Sequence, residues 1–130
     1  MKRHILAILI GFLLAIAISF LGSGLPGNLI HDFLALLLAA NAGIYLGTAI
    51  REQKNKLIII ESVLFIILIF LAFAGLYFSL MLTGTGFLIH ALWSLLHYLT
   101  TIGGLHRYPF SAGYVTLDLV LAIFCFGVLI

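Results

Sequence analysis

Apolar runs long enough to cross a bilayer recur along this chain, and they limit its fold more than anything else in it. The first, Ile5–Leu21, carries no charged residue. A transmembrane helix needs about 20 mostly apolar residues, and further runs follow at about 29–50, 57–81, 87–102 and 114–130. Composition agrees: 65% of the 130 residues are apolar and 8% are charged, where a water-soluble domain carries roughly 25% charge. No polar segment is long enough to build a soluble module, so residues 1–130 read as one integral membrane domain. The expected fold is all-α, a five-helix transmembrane bundle. The lone cysteine, Cys125, rules out a disulfide framework within the chain and a paired-thiol centre.

The connections follow from the punctuation between runs. Met1-Lys-Arg-His4 is a basic head before the first run. Together they have the outline of a secretory signal, but the run is long for one and no A-x-A site follows, so a retained first helix is expected. Gly22-Ser-Gly-Leu-Pro-Gly-Asn28 is a turn by composition, Arg51-Glu-Gln-Lys-Asn-Lys56 is a polar loop, and Thr83-Gly-Thr-Gly86 reads as the next turn. Gly103-Gly104 ends the fourth helix, and a connector through Pro109 leads to the fifth. In the second helix Ala39, Gly43 and Gly47 recur every four residues. Such a small-residue stripe lets a neighbouring backbone approach closely.

Charge placement tests the helix count. Short loops kept in the cytoplasm collect Lys and Arg. With five spans and the N-terminus cytoplasmic, Lys2, Arg3, Arg51, Lys54, Lys56 and Arg107 all fall on that side. The opposite loops, at 22–28 and 83–86, hold none. A wrong count would scatter these charges. The expected arrangement is a multi-pass protein of the cell membrane with its C-terminus on the far side.

The chemistry must then come from the few polar residues inside the spans. His90, Ser94, His97 and Thr101 share one face of the fourth helix, with Trp93 beside them. At about 1.5 Å of rise per residue, Glu61, Asp118, Tyr45 and His97 come out roughly 6–10 Å from the cytoplasmic boundary. His31, Asp32 and His90 come out within roughly 5 Å of the other boundary, with Asn41 and Ser94 between the groups. Ionisable side chains in hydrocarbon seek partners inside the bundle. A site is therefore expected around His97, Asp118 and Glu61, with His90 above it and Asn41, Tyr45, Trp93 and Ser94 in support. Two carboxylates and an imidazole suit a divalent metal such as Zn, Fe or Mn. They equally suit a proton relay or an acid–base pair, which makes the same residues catalytic candidates. They also serve simply to set helix register through hydrogen bonds. No helix carries an H-x-x-H or E-x-x-H step, which counts against metal.

Haem ranks behind a metal. His31 and His90, from different helices at equal expected depth, would be its axial ligands. The outer loops, however, offer no Lys or Arg to its propionates. Phosphate-binding Gly loops, G-x-S-x-G and zinc-finger spacings are absent, and no basic–aromatic patch points to nucleic acid. Tyr108 and Tyr114 fit an interfacial aromatic belt.

Gly86, Phe87, His90, Trp93 and His97, followed by Pro109-Phe110 and Asp118, resemble the pattern of a family of small, uncharacterised polytopic membrane proteins. That pattern runs G-aromatic-x-L-H-x-x-W-D-x-x-H-H, then a Pro-aromatic connector, then an Asp in the last helix. Gly43-Ile-Tyr-Leu-Gly47 is similar to the family's second helix. Ser94 stands where the pattern has Asp, and Tyr98 where it has its second His. The resemblance implies a shared constellation and no particular reaction. Two functions from different classes follow. One is an intramembrane polar site that binds a metal or polar headgroup or moves protons. The other is a non-catalytic subunit or assembly partner of a larger membrane complex, suggested by the small size and the small-residue stripe; its partner would be another membrane protein, and a monomer or homo-oligomer would speak against it. A transporter ranks lower, because no inverted repeat or Gly/Pro-broken helix pair is present.

Overall fold

A computed structural model describes residues 2–99 and 109–127. Its five α-helices are α1 (Lys2–Ser23), α2 (Gly27–Arg51), α3 (Asn55–Tyr77), α4 (Leu80–Leu99) and α5 (Pro109–Gly127). All five are long and apolar enough to span a membrane, and no strand occurs among the described residues. The all-α, five-span expectation holds.

Two boundaries differ from expectation, and both matter for the interior. Thr83-Gly-Thr-Gly86 is not a turn: α3 stops at Tyr77 and α4 begins at Leu80, seven residues before Phe87. Ser79 starts α4 by accepting the Met81 N–H on its hydroxyl at 3.2 Å, as an N-cap does. Thr85 donates back to the Met81 carbonyl at 2.8 Å, which satisfies its hydroxyl within the helix. The two glycines are tolerated there because neighbours need the space. A β-carbon on Gly84 would lie 2.8 Å from that of Cys125 on α5, and one on Gly86 would collide with Leu38 of α2. Thr83 in turn fills the gap that Gly75 leaves on α3. The second difference is that α5 starts at Pro109, five residues before Tyr114. Proline suits a first helical position, where its missing N–H is no loss.

α4 is the hub, packed on α5, α3 and α2, while α1 lies against α5. Pairings along the helices fix their directions. Gly75 meets Thr83, and Glu61 meets His97, so α3 and α4 are antiparallel. Gly84 meets Cys125, and His90 meets Asp118, so α4 and α5 are antiparallel as well. Gly11 meets the backbone of Gly113, and Gly22 approaches Phe124, so α1 and α5 run parallel. The close backbone approach thus falls at Gly11–Gly113, not on the α2 stripe. A β-carbon on Gly43 would only graze Phe65 at 3.9 Å, and Gly47 has nothing within 4 Å.

Polarity is turned inside out relative to a water-soluble domain. Phe20, Phe70 and Ile123 are among many large apolar side chains on the outside, whereas Asn41, Glu61, Thr83, His90, Ser94, His97, Ser111 and Asp118 are buried. Such an exterior matches hydrocarbon, and the chain is a multi-pass membrane protein.

Candidate functional site in the bundle interior

The buried polar side chains gather into two imidazole–carboxylate pairs. In the first, Glu61 of α3 meets His97 of α4, Oε1 to Nε2, at 2.7 Å. Trp93 Nε1–H is shared between both Glu61 oxygens, at 3.1 and 3.0 Å. Indole can only donate, so Glu61 is held as an acceptor from that side. In the second, Asp118 of α5 meets His90 of α4, Oδ2 to Nδ1, at 2.6 Å. Its other oxygen accepts from Asn41 Nδ2 of α2 at 3.0 Å. Both carboxylates and both imidazoles are essentially inaccessible.

Tyr45 of α2 stands between the pairs. Its ring stacks on His97 with centroids 4.4 Å apart and planes 4° from parallel, and lies 5.6 Å from the His90 ring. Its hydroxyl donates to Ser111 of α5 at 3.1 Å. Tyr114 meets His90 edge-on at 6.0 Å. Ser94 Oγ and His90 Nε2 are buried with no hydrogen-bond partner among the described residues. Ser94 lies about one turn from each histidine on their shared face, so its hydroxyl has donor and acceptor capacity to spare between them.

The candidate residues therefore fall into different pairs from those expected. His97 takes Glu61, whereas Asp118 goes to His90 and Asn41. The reason lies in the two helix starts. Beginning α4 at Leu80 puts His90 ten residues in, near mid-span instead of near the far boundary. Beginning α5 at Pro109 likewise moves Asp118 to mid-span. Each residue of shift is worth about 1.5 Å, so the two side chains meet at a level assigned to neither. The same correction removes the equal depth of His31 and His90: His31 lies in the second turn of α2, half-buried, and Asp32 beside it is exposed. That equal depth was the ground for a haem clamp. For a metal, the candidates His97, Glu61 and Asp118 do not form one ligand set. Among the described residues no three His, Cys, Asp or Glu side chains are placed to hold an ion.

Ser111 and Tyr114 were not expected at the site; Ser111 accepts from Tyr45, and Tyr114, half-buried, sets its ring against His90. With Asp118 they follow i, i+3, i+7 spacing, a signal readable only once Pro109 is taken as the helix start. Thr101, His106, Arg107 and Tyr108 lie outside the described residues.

Five apolar spans enclosing paired histidines and carboxylates define a class: small polytopic helical membrane proteins with a polar interior. Within that class the chain belongs to the family of unknown function DUF6010, whose model matches residues 2–128. This agrees with the resemblance to an uncharacterised polytopic family. No curated protein and no solved structure matches the chain.

Proposed function

We propose that this is a cell-membrane protein, N-terminus cytoplasmic, whose paired imidazoles and carboxylates relay protons inside the bundle. The carrying observation is Tyr45, stacked on His97 and packed near His90, which ties two short acid–imidazole contacts into one cluster. Moving a proton across either contact interconverts a neutral pair and an ion pair without changing net charge. That is the least costly proton step in a medium that penalises isolated charge. The Tyr45 and Ser94 hydroxyls supply amphoteric groups between the pairs. Metal or headgroup binding has less support, because the donors are already committed to one another in pairs.

The test is proton flux into vesicles containing the purified protein and a pH-sensitive dye. Glu61→Gln and Asp118→Asn should each slow an imposed-gradient flux by about a hundredfold, the range lost when a positioned acid–base group is removed. Trp93 is the only tryptophan, so its emission reports whether the Asp118→Asn bundle remains folded. Parental flux in both variants overturns the relay.

A second reading, a non-catalytic subunit of a larger membrane complex, draws on one observation: the exposed α2 face at Gly47, with nothing within 4 Å. Particle mass in a mild detergent separates the two readings.

A further inference from the structure

A cavity of about 390 Å³ lies between α1, α2 and α5, lined chiefly by Ile10, Leu14, Leu37, Asn41, Tyr114 and Leu117. It follows from how α1 is attached. The Gly11–Gly113 crossing seats α1 on α5, whereas α1 and α2 meet little beyond the end where Gly22 approaches Ile30. The splayed pair leaves a space floored by α5. Ile10 and Leu14 are 48% and 51% exposed on the outer surface, so the mouth opens sideways toward acyl chains.

The lining is apolar except at Asn41 and Tyr114. Asn41 is 5% exposed, and its amide orientation is fixed by chemistry. Asp118 Oδ1 accepts, so Nδ2 must face it, at 3.0 Å. That turns Asn41 Oδ1, which can only accept, away from the carboxylate on a side chain that lines the cavity. An acceptor bordering an otherwise apolar space is best matched by a ligand that brings a donor. No charged side chain lines the space, and Asp118 stands directly behind Asn41. An anionic head would be repelled there, and a cation would enter an apolar lining stripped of water. The volume is at the small end of the roughly 300–1,000 Å³ of ligand pockets, which suits one chain and not two.

We propose that this cavity binds a neutral, single-chain lipid alcohol that enters laterally from the bilayer and donates its hydroxyl to Asn41 Oδ1. The hydroxyl then connects through Asn41 to the Asp118–His90 pair. Binding itself requires only the cavity and the Asn41 acceptor, so it stands whether or not the bundle relays protons.

The probes are a photoreactive hexadecanol and its methyl ether, which has the same chain but no donor. In vesicles holding the purified protein, the alcohol should label α1, α2 or α5 roughly fivefold more than the ether, the factor one net hydrogen bond is worth. Asn41→Leu should bring the two probes level. Leu14→Trp fills the mouth from a position 51% exposed, and should abolish labelling by both probes. Equal labelling of the parent protein by the two probes overturns the proposal and reduces the cavity to a slot for any acyl chain. Unchanged labelling in Leu14→Trp overturns the location. If Asn41→Leu fails to fold, the parent protein and Leu14→Trp still decide.

Discussion

Asp118 shows how much one side chain can organise in hydrocarbon. It accepts from Asn41 on α2 and meets His90 on α4, so a single carboxylate on α5 ties three helices. Interhelical hydrogen bonds in membranes average about 0.6 kcal/mol and reach about 1.7 kcal/mol. Asp118→Ala, which removes two at once, should therefore cost roughly 1–3 kcal/mol in reversible unfolding. His90→Ala added to it should cost less than it does in the parent chain, because the imidazole has already lost its carboxylate. Strictly additive effects would mean that the 2.6 Å contact carries no coupling. Glu61 is the parallel case on α3, with His97 and Trp93 as its partners. That such residues would find one another was readable from their scarcity. Which histidine would take which acid was not, because partner choice turns on a few ångströms of axial offset.

α4 is where local composition misleads. Thr83-Gly-Thr-Gly86 has the residues of a turn, yet Thr83, Gly84 and Gly86 each answer a neighbouring helix: Gly75 on α3, Cys125 on α5 and Leu38 on α2. Helix propensity disfavours glycine by about 1 kcal/mol per residue, and close packing on three sides outweighs it. Gly86→Leu should accordingly destabilise the bundle by about 1–3 kcal/mol through overpacking. Gly47→Leu, on an open face, should stay within about 0.5 kcal/mol. Thermal unfolding of the two variants checks the contrast, and equal losses would contradict the packing. The same reasoning explains why the Ala39–Gly43–Gly47 stripe predicted a contact that the chain makes at Gly11–Gly113. Small residues permit close approach without specifying which helix will use it.

The alternation of directions in the whole bundle brings Lys2 and Arg3 to the same end as Arg51 and Lys54, and the Phe78-Ser79 turn to the other. Moving that turn from 83–86 to 78–79 leaves the charge argument intact, since neither stretch holds a Lys or Arg. With Cys125 buried, single cysteines introduced elsewhere can be mapped with little background. Gln53→Cys should react with an impermeant thiol reagent only from the cytoplasmic side, and Ser79→Cys only from the opposite side. The reverse pattern would invert the orientation, and labelling of both from one side would break the five-span count.

Hydrocarbon thickness and the cost of exposed charge act on composition alone, so the five spans, their order and the candidate polar residues could be read directly from the chain. Helix ends and partners could not. Whether glycine and threonine make a turn or a packed helix depends on what lies beside them, and a shift of seven residues in one helix start moves a side chain by about 10 Å. The pairing of His90 with Asp118, the stacking of Tyr45 on His97 and the cavity beside Asn41 all arise from such offsets between helices. They are fixed by how the surfaces interlock, which no single run of residues encodes.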